Sequence, residues 1–157
     1  MVATPGTIAS ASYNLEIDKL YPGATVTGQA CPMWCPLVEN GEASGPGADY
    51  FINKDIDALM ARDPQIDTII LGCTHYPLLY PKIRAAVDRH NPAVHLLTQG
   101  DIVADSLADY LQRHPEMDSR LTRGASVSYL TTENPDKFSN LAAMFMGTLV
   151  AATHTTL

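Results

Sequence analysis

Asp67-Thr68-Ile69-Ile70-Leu71-Gly72 is a short run with three consecutive large aliphatic residues and no polar alternation, the pattern of a strand buried on both faces of a parallel sheet. Cys73-Thr74-His75-Tyr76 comes next, and Pro77 stands where a helix begins, because a first turn does not need the N–H that proline lacks. Residues 78–90 continue that helix, with Ile83, Ala86 and Val87 on one face. The order then repeats: 94–98 reads as a strand, Gln99-Gly100 as a tight turn, and 101–113 as a helix capped by Asp101. Upstream, Phe51, Ile52, Ile56, Leu59 and Met60 recur at helical spacing across 48–62. Strands alternating with helices of this length predict an α/β fold, a mostly parallel sheet with flanking helices, whose ligands bind at the carboxyl ends of the strands.

Outward from that block the signals thin. Gly6-Thr7 leads into a first helix capped by Thr7, with Ile8, Tyr13, Leu15, Ile17 and Leu20 as its apolar members and Pro22-Gly23 as its end. Residues 24–30 read as a short strand, and 32–47, rich in proline and glycine, as loop with one turn of helix. Beyond a polar segment at 114–124, a last strand at 125–131 and a helix at 135–146 are expected.

Of the 157 residues, 46% are apolar and 17% charged, the composition of a chain that folds around a core. No apolar run approaches the roughly 18 residues needed to span a bilayer, and the first residues form no basic region followed by an apolar stretch. A cytoplasmic protein without membrane partners is therefore expected. The net charge of −7 comes with scattered basic residues, which argues against a nucleic-acid partner. Three cysteines make no disulfide framework and read as free thiols.

Cys73 holds the chemistry. It lies in a strand-to-helix connection at the ligand edge, where the positive end of a following helix favours a thiolate, and His75 stands two residues on as a proton donor. On position alone, a small buried hydrophobe is the commoner reading. Cys31 and Cys35 are spaced C-x-x-x-C, but no second pair or histidine cluster accompanies them, so no metal is expected there. Trp34 reads as packing, and His90, His95, His114 and His154 as surface or helix-end residues.

The heptapeptide Leu71-Gly72-Cys73-Thr74-His75-Tyr76-Pro77, followed by Leu78-Leu79, resembles the second-cysteine motif of glutamate racemases, with His75 where aspartate racemases typically carry Glu. The resemblance runs through nearly the whole chain. Ala3-Thr4 with Gly6-Thr7, Ser10 and Tyr13 is similar to the family's entry into its second domain. Ala30-Cys31-Pro32 with Pro36-Leu37-Val38-Glu39 is similar to its A-C-P…P-L-V-E stretch, and Thr131, Pro135, Phe138 and Gly147 to its closing segment.

The resemblance implies cofactor-independent interconversion of L- and D-glutamate, for peptidoglycan, by two cysteines facing opposite sides of the α-carbon in a cleft between two α/β domains. Carried over by position, Cys73 is one acid/base cysteine, His75 assists it and binds substrate, Thr74 contacts the carboxylate or amino group, and Glu39 is an acidic residue held near this half of the site. Thr4 or Thr7 lines the pocket, although a threonine after glycine reads equally well as a helix cap. The resemblance also suggests a homodimer.

Three departures stand beside it. The family's D-S-G segment and first cysteine, in an A-C-N-T context, have no counterpart here, and Thr98-Gln99-Gly100 stands where an Asp-Ser pair is common. Residues 1–97 then read as the second domain and 98–157 as a segment returning to a first domain the sequence does not contain, so that the chain alone is expected to be inactive. Two other readings fit the same residues. One is a hydrolase or acyltransferase with Cys73 as nucleophile and His75 as base, for which the sequence offers no third residue to orient the histidine. The other is a non-catalytic half-domain that binds a ligand.

Overall fold

A computed structural model describes every residue except Ala125. The chain divides into two compact units, 1–105 and 106–157. In the first, four strands run parallel. Strand β1 (Val2–Ala3) pairs with β2 (Gln29–Ala30), and β3 (Thr68–Ile70) with β4 (His95–Leu97). A parallel bridge between Val2 and Leu71 joins the two pairs, with Gly72 N–H donating to Val2 O at 2.9 Å, while Leu71 N–H donates to Leu97 O at 2.9 Å and extends the β3–β4 pairing. The resulting order is β2-β1-β3-β4.

Helix α4 (Pro46–Arg62) covers one face of this sheet. Proline at its start suits the first turn, and Ala48, Ile52, Ile56 and Leu59 form a fully buried stripe at three- and four-residue spacing. It packs on α5 (Tyr80–Asp88), whose Ile83, Ala86 and Val87 are buried, and on α3 (Trp34–Glu39). The core between them includes Val2, Trp34, Ile69, Leu71 and Tyr76.

Several expectations need correction. The strand at 67–72 exists, but only Ile69 and Leu71 are buried in the core; Thr68 and Ile70 point to the other face, which is half covered. There they line a cavity of about 610 Å³ with Met1, Ile17 and Thr27. The first helix is two: α1 (Pro5–Ser10) and α2 (Ser12–Leu20), broken at Ala11, which takes the left-handed conformation at φ 51°. Ser10 supports that break, its hydroxyl donating to Thr7 O at 2.8 Å and accepting from the Ser12 N–H. The cap of α1 is Thr4, whose side chain accepts from Thr7 N–H, not Thr7 itself.

The strand expected over 24–30 shrinks to its last two residues. The helix after Cys73 opens as a 3-10 turn (Tyr76–Leu79) before α5. Gln99-Gly100 is no tight turn: α6 (Gln99–Arg113) already includes both, so Asp101 lies within its first turn instead of capping it. Its Ile102, Val103, Leu107 and Tyr110 are exposed.

The second unit holds a short helix α7 (Pro115–Asp118) within the stretch expected to be irregular, then β5 (Tyr129–Thr131), α8 (Pro135–Met146) and β6 (Ala152–His154), with β5 and β6 parallel. The strand expected at 125–131 is confined to its last three residues; its first, Ala125, lies outside the described residues. No helix among the described residues is long and apolar enough to cross a membrane.

Gly72 is required by the close approach of β1 and β3. A Cβ there would stand 3.0 Å from Met1 Cε, 3.1 Å from Ala3 Cβ and 3.1 Å from the Val2 carbonyl oxygen. Gly72→Ala must push two hydrogen-bonded strands apart and is expected to destabilise the fold by about 1–3 kcal/mol, read as a lower urea midpoint; an unchanged midpoint would contradict this packing.

Candidate active site

Parallel pairing brings three strand ends to one edge. Val2 pairs with both Gln29 and Leu71, so two residues further on Thr4, Cys31 and Cys73 leave the sheet side by side. Trp34, at the start of α3, is fully buried and lies against Tyr76, with ring centroids 4.8 Å apart. The Tyr76 hydroxyl donates to Cys31 O at 3.3 Å. These contacts latch α3 onto the turn that follows β3, and the next residues of each segment then meet.

Cys73 Sγ lies 3.7 Å from His75 Nδ1, and His75 Nε2 lies 3.1 Å from Glu39 Oε1. A carboxylate accepts only, so Glu39 fixes the proton on Nε2 whenever the ring is neutral and turns the Nδ1 lone pair toward the thiol. Cys73, His75 and Glu39, the catalytic residues that the resemblance implies, thus form one connected row. The row also supplies the orienting third group that the sequence did not identify for a thiol nucleophile.

Thr74 is exposed in the same turn. Thr4 and Thr7 are joined by their hydroxyls at 3.0 Å; register puts Thr4 at the Cys73 edge, whereas Thr7 sits a turn into α1.

Cys35 is the member that sequence reading missed. Its Sγ is 3.4 Å from Cys73 Sγ, and burial, a hydrogen bond to Cys73 and the nearby Glu39 push its thiol up to about 12. A signal did exist: Cys35 and Glu39 are four residues apart on α3 and so share a helix face. Cys31, by contrast, is buried. Its thiol is pushed far up by burial and by the neighbouring Asp55 carboxylate, itself raised by burial, which suits a structural role. The cavity at the other face reaches none of Cys35, Cys73 and His75.

Comparison with known proteins gives this edge its context. No family model matches the chain. It is 40% identical over 147 residues to a glutamate racemase from Ruegeria pomeroyi, covering 93% of this chain and 51% of that protein. To one from Shouchella clausii it is 34% identical over 146 residues, covering 93% and 50%. Among solved structures, glutamate racemase from Francisella tularensis in complex with D-glutamate superposes with a TM-score of 0.81 at 26% identity, over 99% of this chain and 55% of that one. An isoform from Bacillus anthracis gives 0.83 at 26%, over 99% and 56%.

The fold is of α/β type, like that of the glutamate racemases on which the chain superposes. Over 93% of its length the chain is similar to glutamate racemases. It spans about half the length of the curated relatives it matches.

Proposed function

We propose that this chain contributes one of two proton-transfer faces of a glutamate racemase, with Cys73 as the acid/base that serves one side of the substrate α-carbon. The row Cys73–His75–Glu39 at the carboxyl end of β3 is the observation that supports this reading. The thiolate removes the α-proton of one enantiomer and, in the reverse direction, the thiol returns a proton to the same face. His75 receives and returns the thiol proton through Nδ1, while Glu39 stabilises the imidazolium formed on the way. Thr74 and Thr4 offer hydroxyls to the amino acid's carboxylate or ammonium, with Thr7 holding Thr4 in place. No cofactor enters these steps.

Cys35 is not the second base. Groups acting on opposite faces of one carbon each stand about 3–3.5 Å from it, which sets their sulfurs about 6–7 Å apart; Cys35 and Cys73 are separated by 3.4 Å and share a side. The opposite face belongs to a part of the enzyme that this chain does not include. Residues 1–97 then form the second domain and 98–157 return to the first. The apolar face of α6, with Ile102, Val103, Leu107 and Tyr110 exposed at three- and four-residue spacing, fits that return. A homodimeric cytoplasmic enzyme supplying D-glutamate for the cell wall is the setting this reading implies.

The test is fusion. Joined to the residues that precede the matching half in the Ruegeria pomeroyi protein, this chain is expected to racemise glutamate, followed by circular dichroism of the amino acid. A folded fusion that leaves L-glutamate optically unchanged would overturn the reading. The thiol-hydrolase alternative draws support from Glu39 orienting His75; it requires an acyl-enzyme on Cys73, detectable as a mass increase with an activated ester, that turns over in water.

A further inference from the structure

Cys35, Cys73 and His75 form a cluster that the proton-transfer chemistry does not explain, because Cys35 has no task in it. Their ligand atoms all lie within 4.8 Å of one another. A tetrahedral zinc ion with Zn–S of about 2.3 Å and Zn–N of about 2.0–2.1 Å sets two sulfurs about 3.8 Å apart and sulfur and nitrogen about 3.6 Å apart. The structure has Cys35 Sγ to Cys73 Sγ at 3.4 Å and Cys73 Sγ to His75 Nδ1 at 3.7 Å. Those two distances therefore change by only a few tenths of an ångström, and the remaining pair, Cys35 and His75, lies within 4.8 Å, about an ångström from the ideal separation.

The surroundings agree with that geometry. Ligating histidines characteristically donate their other ring N–H to a carboxylate, which fixes the tautomer and strengthens the ligand. Glu39 stands in that relation to His75, 3.1 Å from Nε2, and so leaves Nδ1 for the metal. The ligands are also held before any metal arrives: Cys35 and Glu39 by α3, Cys73 and His75 by the turn after β3, and the two segments by Trp34 against Tyr76. Two thiols with one imidazole select a soft divalent ion over magnesium or calcium.

We propose that Cys35, Cys73 and His75 bind one zinc-class divalent cation, with Glu39 positioning His75 and a water or substrate oxygen completing the tetrahedron. On binding, the two thiols release two protons to solvent and the cation takes both sulfurs as thiolates, so the two ligand charges balance the ion. Bound metal engages the Cys73 sulfur and withdraws it from other chemistry, which makes this a site of inhibition in the whole enzyme. The binding itself stands on the side-chain geometry and does not depend on the racemase reading.

Cobalt(II), which reports thiolate ligation by a charge-transfer absorption, tests this on the reduced, chelator-treated 157-residue chain, with far-ultraviolet circular dichroism as the measure of folding. One equivalent should develop the band, and zinc should bleach it. Cys35→Ala and Cys73→Ala should each abolish it, and Glu39→Gln should weaken binding by about tenfold or more. In the zinc-loaded unmodified chain, Cys35 and Cys73 should both be protected from iodoacetamide, a measurement that no variant's misfolding can confuse. A folded, reduced chain without a thiolate band, a band that survives in Cys35→Ala, or zinc that leaves both thiols as reactive as before would overturn the proposal.

Discussion

Incubated with L- or D-glutamate in deuterium oxide, the 157-residue chain is expected to produce no inverted, α-deuterated product above background. Inversion requires that a proton leave one face of the α-carbon while another arrives on the opposite face. On the proposed reading Cys73 supplies one face. Cys35 is its neighbour, 3.4 Å away on the same side, and Cys31 is sealed in the core beneath Tyr76 with its hydroxyl contact to the Cys31 carbonyl. A thiol that stays protonated and lacks access to solvent cannot serve as the missing base. The effect is a complete loss, because a single base can exchange a proton only with retention. Inversion catalysed by this chain alone, and abolished by Cys31→Ala, would require Cys31 to be the second base.

Alkylation should separate the three cysteines by orders of magnitude. Only the thiolate attacks, so reactivity follows the ionised fraction and access. Cys35, held up to about 12 by burial and by its hydrogen bond to Cys73, is expected to react on the order of a thousandfold more slowly near pH 8 than an ordinary thiol. Cys31, only 1% exposed and raised further by burial and Asp55, should label only when the chain unfolds. Cys73 is half-buried at the sheet edge, with Cys35 as hydrogen-bond partner on one side and His75 on the other. It should label first. Peptide mass spectrometry of partly alkylated protein reads all three sites at once. Cys35 or Cys31 labelling before Cys73 would mark Cys73 as a structural residue.

What was legible in the sequence was whatever rested on contiguous signals. The aliphatic run before Cys73 marked β3, and the helical spacing from Ala48 to Met60 marked α4. The strand expected at 24–30 forms only at its end because only Gln29 and Ala30 reach a partner, and pairing is a property of two segments that neither shows alone. The break at Ala11 left no mark, since alanine is a good helix former and its left-handed conformation is supported by Ser10 from outside the residue. Glu39 was placed near Cys73 only through family resemblance; its contact with His75 depends on Trp34 locking α3 against Tyr76, which spacing cannot reveal. Sequence proximity pairs Cys35 with Cys31, whereas the fold sets it against a residue thirty-eight positions away.

The two-face assignment of Cys73 is tested most directly in the fusion enzyme carrying Cys73→Ser. With one base crippled, the enantiomer whose α-proton points at Cys73 should lose exchange with deuterium oxide almost entirely. The other enantiomer, whose proton faces the base on the opposite side, should retain a substantial part of its α-proton abstraction. Exchange rates for L- and D-glutamate measured separately by proton NMR should therefore fall unequally, by at least about tenfold relative to one another, given the 10²–10⁴-fold worth of a positioned acid or base. Equal residual rates for the two enantiomers, or unimpaired exchange for both, would show that Cys73 does not serve one face of the substrate.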